Sequence, residues 1–149
     1  MKAVAQNKKA HHNYFLDDKL EVGLELQGWE VKSIRAANVN MADSFIYFRD
    51  GEAYLKNLHI APYEHTRSEE QNPRRDRRLL LHAHQIGKYH KAVTTKGVTC
   101  IATKIYLNNR GLVKAEIALA TGKQLHDKRQ TLKERDLARE AERAIRARD

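Results

Sequence analysis

Gly122-Lys123-Gln124-Leu125-His126-Asp127-Lys128-Arg129 separates two parts of the chain that follow different patterns. Before it, short runs of alternating apolar residues are typical of β-strands. After it, residues 130–149 contain no Gly or Pro and repeat charges at helical spacing. The stretch itself holds an imidazole ring, a carboxylate and cations, which suit contacts with nucleic acid but also an ordinary helix start. The sequence therefore predicts a β-rich body, residues 1–121, and a basic tail, residues 122–149.

The charge balance predicts a polyanionic partner. The chain has 149 residues, with 28 Lys and Arg against 19 Asp and Glu, which gives a net charge of +9. Such an excess is typical of proteins that bind RNA or DNA, and less often of proteins that bind anionic membranes. No apolar run approaches the roughly 20 residues that span a bilayer, and residues 1–10 lack the apolar centre of a signal peptide. We therefore expect a cytoplasmic protein without a membrane partner.

Residues that could carry catalysis or bind metal do not form a recognisable motif. Cys100 is the single cysteine and is expected to be a small buried residue on a strand. His11 and His12 are adjacent, and neighbouring residues of the strand expected there would point to opposite faces. The sequence contains no nucleophile elbow and no phosphate-binding glycine loop. We predict that the protein is not an enzyme and has no catalytic residues, no metal site and no cofactor.

The body is predicted to be an antiparallel barrel. Residues 20–26, 98–107 and 112–120 alternate like half-buried strands, and Asp50-Gly51 lies between two strand-prone runs at a position typical of a hairpin turn. Two helices are candidates: residues 29–35, which also suit an extended segment, and residues 83–93. We expect a mainly β fold with one or two short helices, in which at least five strands close into a small antiparallel barrel of the oligonucleotide-binding type. Residues 1–10 are expected to be a flexible basic arm.

Two charged segments are predicted to face RNA. Arg74-Arg75-Asp76-Arg77-Arg78 directly precedes three leucines, and residues 74–96 contain seven Lys or Arg and a single acid. We interpret this segment as a phosphate-facing surface. The tail has acids and arginines spaced for helical ion pairs, but its apolar stripe is thin. We therefore expect the tail to be disordered when free and helical when bound.

These patterns leave two functions open. The first is an RNA-binding module whose body holds a structured RNA while the tail contacts a second partner. The second is a structural protein of the ribosomal type, with a basic extension. Composition alone does not separate the two.

Several blocks of the chain resemble the SsrA-binding protein (SmpB) family, the transfer-messenger RNA (tmRNA) partner in bacterial trans-translation. The resemblance covers nearly the whole chain in the family's order. The similar blocks are Asn7-Lys8-Lys9-Ala10 with His12 and Tyr14, Gly28-Trp29-Glu30-Val31-Lys32-Ser33-Ile34-Arg35, Asp50–Leu55, Pro73–His82, and Gly122–Arg129 followed by Lys133-Glu134-Arg135.

The resemblance implies a closed barrel of about six strands flanked by helices, together with a function and a set of contacts. The protein would bind the tRNA-like domain of tmRNA and deliver it to stalled ribosomes, as a monomer when free. Asn7, Glu21 and Leu80 would lie on the RNA-binding face, although the sequence alone leaves Leu80 open as a core residue.

The signature block would supply Glu30, Lys32 and Arg35 for structural support or RNA contact. In the ribosome, residues 122–129 would occupy the decoding centre against 16S rRNA, in place of a codon–anticodon pair, and the tail would follow the empty mRNA channel. The residues implied for these two roles are Gly122, Lys123, His126, Asp127, Lys128, Arg129, Lys133, Arg135, Arg139, Arg143, Ile145 and Arg146.

Three positions depart from the family pattern. Gln124 stands where a lysine is common, Ala102-Thr103 replaces a segment that usually contains Pro, and Arg146 follows Ile145 where an apolar residue is common.

Overall fold

A computed structural model describes residues 2–64 and 71–123. The strands within these residues are β1 (Lys2–Gln6), β2 (Tyr14–Leu24), β3 (Val39–Asn40), β4 (Phe45–Arg49), β5 (Glu52–Lys56), β6 (His59–Ile60), β7 (Arg77–Leu80), β8 (Thr99–Leu107) and β9 (Val113–Gly122), and the helices are α1 (Lys8–Asn13), α2 (Gly28–Arg35) and α3 (Ala83–Lys96). Seven strands form one sheet in the order β1-β8-β9-β2-β7-β5-β4, and β3 pairs with β6 separately. The prediction of a mainly β protein with short helices is confirmed.

The main sheet is open, so the prediction of a closed barrel of about six strands is wrong. β1 and β4 are its two ends, and no backbone pairing joins them in the described part of the chain. β4 instead packs against β8. Phe45 at the start of β4 lies on a small cluster of Ala10, Ile101 and Ala120. The sheet therefore curls back on itself through side-chain packing rather than through a continuous hydrogen-bonded ladder.

The N-terminal segment is an edge strand, which corrects the prediction of a flexible arm. β1 pairs antiparallel with β8, from Lys2 opposite Leu107 to Gln6 opposite Lys104. Val4 on this strand packs against the core. Ladder hydrogen bonds and apolar burial together offset the entropy lost on ordering the segment. The two histidines that follow lie in α1, not in the strand expected for them.

The turn and helix predictions agree with the structure. Asp50 and Gly51 both have positive φ, 52° and 75°, as the tight turn between β4 and β5 requires. Residues 29–35, whose sequence suits either a helix or an extended segment, form part of the helix α2. The helix expected over residues 83–93 is α3, which continues to Lys96 and ends at Gly97 with φ 65°.

One face of the main sheet is buried under α2 and α3. Val22 of β2 lies opposite Ala115 of β9, which in turn lies opposite Ile105 of β8. The three side chains therefore project from this same face. Trp29 of α2 and Tyr89 of α3 belong to the same buried cluster. The opposite face, which we call the outer face, carries the side chains that alternate with these core residues.

Cys100 lies on β8 and is 1% exposed, as predicted for a buried strand residue. Burial raises the pKa of its thiol to about 12, so Cys100 remains protonated at neutral pH.

Candidate nucleic-acid interface

The outer face carries a row of residues contributed by four neighbouring strands. Gly23 of β2 lies opposite Leu80 of β7 on one side and opposite Lys114 of β9 on the other. Lys114 in turn lies opposite Tyr106 of β8. Glu21 is two residues before Gly23, and therefore projects from the same face of β2. The register thus places Glu21 and Leu80, two residues expected to bind RNA, close together on one surface.

Glu21 is held by a neighbour two strands away. The Tyr106 hydroxyl donates a hydrogen bond to Glu21 Oε2. Burial and this hydrogen bond raise the pKa of Tyr106 above its ordinary value, so the hydroxyl keeps its proton and remains a donor at neutral pH. The Glu21 residue itself is exposed. An exposed carboxylate with a fixed orientation can accept hydrogen bonds from the amino groups of bases, while it repels phosphate.

A second carboxylate organises the adjacent part of the face. Glu116 lies opposite both Glu21 and Lys104 in the sheet. The Lys104 ammonium is 3.3 Å from Glu116 Oε2, and the Thr103 hydroxyl donates to Glu116 Oε1 at 3.0 Å. Lys19 also approaches Glu116 at 3.9 Å. These contacts fix the position of Lys104 on the outer face.

Leu80 is a surface residue. Leu80 is 50% exposed, whereas its neighbour Leu79 is completely buried. Because Gly23 has no side chain, Leu80 lies over the β2 backbone, with Cδ1 3.3 Å from the position that a Gly23 Cβ would occupy. The reading of Leu80 as a core residue is therefore wrong, and its contact with RNA stays a prediction.

Asn7 makes internal hydrogen bonds. Its side chain accepts from the Ala10 amide at 3.1 Å at the start of α1, and donates to the Ala102 carbonyl at 3.2 Å. Asn7 is 7% exposed. The side chain therefore fixes α1 to β8, and a direct contact between Asn7 and RNA stays a prediction.

Glu30 is the centre of a buried ion cluster. Arg77 Nε and Arg75 Nη2 each donate to its carboxylate at 2.5 Å, and the Gln27 amide donates at 2.8 Å. Burial raises the pKa of Glu30, but these donors outweigh burial and hold the pKa below its ordinary value. Glu30 is 0% exposed, so of the two roles implied for it, structural support fits the structure.

The arginine segment before the leucines is only partly available to RNA. Arg77 is completely buried, because it alternates inward with Leu79 on β7, and it also donates to the Leu58 carbonyl at 2.6 Å. Burial lowers the pKa of Arg77. Arg78 points outward and pairs with Glu52 at 2.9 Å and with Glu25 at 3.3 Å. The interpretation as one phosphate-facing surface is therefore wrong at Arg77, while Arg74 is exposed.

The other two residues of the signature block lie on the exposed side of α2. Lys32 Nζ lies 5.7 Å from the centre of the Tyr63 ring. Arg35 Nη2 donates to the Gly111 carbonyl at 3.4 Å, which connects α2 to the turn between β8 and β9. Arg35 and Lys114 both line a cleft beside this turn, although they are far apart in the sequence.

The body ends next to the N-terminal helix. Gly122, the last residue of β9, lies opposite Tyr14. Lys123 Nζ is 5.5 Å from the centre of the Phe15 ring and 3.5 Å from the His11 carbonyl oxygen. The predicted residues that lie outside the described part of the chain are His126, Asp127, Lys128, Arg129, Lys133, Arg135, Arg139, Arg143, Ile145 and Arg146.

Sequence reasoning missed Lys104, Tyr106 and Lys114. The signal was present, because Lys104 and Tyr106 alternate with the buried Ile105, just as Lys114 and Glu116 alternate with Ala115. Within residues 2–64 and 71–123, the His, Cys, Asp and Glu side chains form no group of three or more that could hold a metal ion. Each described helix is too short or too polar to cross a membrane.

Comparisons with known proteins identify the family. The SmpB protein family matches residues 4–147. The SsrA-binding protein of Nitratidesulfovibrio vulgaris (strain DP4) is 50% identical over 95% of this chain and 92% of its own length, and that of Syntrophotalea carbinolica is 47% identical over 99% and 98%. A solved structure, "tmRNA-SmpB: a journey to the center of the bacterial ribosome", is 45% identical, with a TM-score of 0.67 over 80% of this chain and 83% of that chain. The chain belongs to the SmpB protein family.

Proposed function

We propose that this protein binds tmRNA at its tRNA-like domain and delivers it to stalled ribosomes for trans-translation in the cytoplasm. The observation that supports this most strongly is a family match that runs through both the body and the tail, from residue 4 to residue 147. The relatives in this family are named SsrA-binding proteins, and the solved relative is described with tmRNA and the ribosome. The role is binding and delivery, and no catalytic step is assigned to this chain.

The outer face of the sheet is the proposed tmRNA-binding surface. It combines an oriented carboxylate, Glu21, an exposed apolar side chain, Leu80, and the cations Lys104 and Lys114. Cations attract the phosphate backbone, whereas the carboxylate and the leucine suit unstacked bases in a loop. Such a mixture fits a structured RNA with exposed loop bases better than a uniform duplex.

The second part of the proposal concerns residues 122–149. We assign His126, Asp127, Lys128 and Arg129 to the decoding centre against 16S rRNA, and the residues after them to the empty mRNA channel. The nine Lys or Arg of this segment can contact RNA phosphates, while acids among its six Asp and Glu are spaced for ion pairs that support a helix. Two RNA sites on one chain would link the tmRNA to a ribosome that lacks a codon.

RNA recovery tests the proposal. The full chain, carrying an affinity tag, is expressed in a bacterial cell, recovered with its bound RNA, and the RNA is sequenced. We expect strong enrichment of one tRNA-like species, tmRNA. Recovery of ribosomal RNA alone would contradict the proposal and favour a structural protein of the ribosome.

A further inference from the structure

A groove lies where the open sheet curls back on itself, between α1, the start of β4 and the start of β8. We call it the seam groove, and its volume is about 350 Å³. Residues of all three elements line it, among them Lys9 and Ala10 of α1, Phe45 of β4, and Thr99 and Ile101 of β8. This volume is at the lower end of the roughly 300–1,000 Å³ of sites that hold drug-sized ligands. The groove therefore suits one or two side chains, not a folded partner.

The floor of the seam groove is apolar and its rim is charged. Ala10 and Ile101 are buried together, and Phe45 packs against them. At the rim, Lys9 and Asp43 are exposed, with Lys9 Nζ 3.8 Å from an Asp43 carboxylate oxygen. An ion pair this exposed contributes little to stability, so both groups can exchange partners at small cost. The groove therefore fits an aliphatic side chain that is followed by charged residues.

The tail begins at the mouth of this groove. Gly122 lies opposite Tyr14, which also lines the groove. Lys123 Nζ is 3.5 Å from the His11 carbonyl oxygen of α1. Leu125 is the first apolar residue after Gly122. Because a chain advances at most about 3.6 Å per residue, Leu125 is no farther than about 11 Å from Gly122. Its side chain is therefore within reach of the apolar floor.

We propose that residues 124–129 bind in the seam groove of their own chain, with Leu125 on the apolar floor and Lys128 beside the Asp43 carboxylate. The segment carries the aliphatic side chain and the cation in the order that the floor and rim require. The covalent link gives such a segment an effective concentration of about millimolar at the groove, so a small contact area is sufficient. The expectation of a free tail then applies to residues 130–149.

The groove is separate from the row of residues proposed to bind tmRNA. Thr99 begins β8, whereas Tyr106 is near the other end of the same strand. At roughly 3.3 Å per residue, the two are about 20 Å apart. The tail can therefore dock while the outer face holds RNA. Docking would keep the residues assigned to the decoding centre on the body until the ribosome takes them. This consequence rests on the proposed function, whereas the docking itself does not.

NMR spectroscopy of the full native chain tests the contact directly. Nuclear Overhauser effects are measured between the methyl protons of each assigned leucine and the ring protons of Phe45 and Tyr14. We expect cross-peaks from Leu125 to at least one of these rings, and none from Leu132, the next leucine of the tail. Absence of cross-peaks from Leu125 to both rings would overturn the proposal.

Thiol alkylation gives a second measurement, because the native Cys100 is 1% exposed and its pKa is raised to about 12. A chain with Leu125→Cys therefore carries one reactive thiol. We expect its alkylation to become several-fold faster when Thr99→Trp fills the groove. Thr94→Trp is the matched control on the exposed side of α3 and should leave the rate unchanged. Thermal melting confirms that each variant is folded, and equal alkylation rates in all three chains would overturn the proposal.

Mixed samples distinguish the other occupants that the groove could have. Isotope-labelled and unlabelled chains are combined, and cross-peaks between the two are recorded separately from those within one chain. Cross-peaks from Leu125 that occur only between chains would assign the groove to the tail of a second copy and overturn the proposal. Contacts in the groove that arise only after tmRNA is added would assign it to RNA, with the same result. Either outcome would leave the proposed function in place, and cross-peaks within one chain would support the docked tail.

Discussion

The Tyr106 hydroxyl donates to the Glu21 carboxylate across the intervening strand β9. Tyr106 is 3% exposed, so its ring is packed and cannot swing away. This bond occupies one oxygen of Glu21 and fixes the direction in which the carboxylate meets a ligand. A carboxylate on the proposed RNA-binding surface favours binding only if it meets base amino groups rather than phosphates, and its orientation would therefore be part of recognition.

Replacement of Tyr106 by Phe tests this role. Tyr106→Phe keeps the packed ring and removes the donor, so we expect a stability loss of about 1–3 kcal/mol and an affinity loss for tmRNA of about tenfold. The measurements are thermal melting and a binding titration. Tyr89→Phe is the matched control, because the Tyr89 hydroxyl donates to the Asp18 backbone carbonyl under α3. Equal affinity losses in the two variants would contradict a specific role for Tyr106.

Because Leu80 is exposed, we predict that a substitution there changes the affinity for RNA without changing the stability of the fold. Leu80→Asn is expected to lower tmRNA affinity while leaving the melting temperature nearly unchanged, because Leu80 is half exposed. Leu79→Asn provides the comparison, since this buried neighbour is expected to lose about 2–5 kcal/mol of stability. Both variants are measured by melting and by filter binding. Normal tmRNA affinity in Leu80→Asn would show that Leu80 is not part of the proposed RNA-binding face.

The buried ion cluster predicts sensitivity to acid. The pKa of Glu30 in the folded protein is held below the ordinary value of 4.5, because three donors outweigh burial. A lowered folded pKa stabilises the fold above pH 4.5, and this contribution disappears as the pH falls through the folded pKa. Unfolding free energy measured by urea titration should therefore decrease from about pH 5 downward.

Substitution of Glu30 isolates this contribution. Glu30→Gln leaves Arg77 buried without its counter-charge, so we expect a loss of about 3–5 kcal/mol at neutral pH. The remaining stability should fall less steeply with acid than that of the native chain. Identical acid slopes in the two proteins would show that Glu30 does not control acid unfolding.

Local sequence patterns predict the elements whose conformation is set by residues close together in the chain. The hairpin followed from Asp50-Gly51, and α3 from apolar residues at helical spacing. The sequence also contains the alternation that directs Arg77 inward, since Arg77 and Leu79 are two residues apart on one strand. The neighbouring arginines instead favoured the interpretation that the whole segment is exposed. The open sheet could not be inferred locally, since it depends on how β4 packs on β8 and on β1 pairing with a strand about 100 residues away.

The candidate site followed from the sequence only in part. Glu21 and Leu80 entered through a family resemblance, and the structure places them on one face. Tyr106 and Lys114 join them only through the register of β8 and β9 with β2, which no local pattern defines. The bond from Arg35 of α2 to the Gly111 carbonyl likewise joins two segments that are far apart in the sequence.

The central claim is that the body binds tmRNA and the tail acts on the ribosome. Because β9 ends at Gly122, a chain that stops there retains every strand of the main sheet. The direct measurement is a reconstituted tagging assay on ribosomes stalled without a codon, run with this truncated chain at concentrations that saturate tmRNA in a parallel titration. We predict near-normal tmRNA affinity and no tagging. Full tagging by the truncated chain, or loss of tmRNA binding together with tagging, would contradict the account.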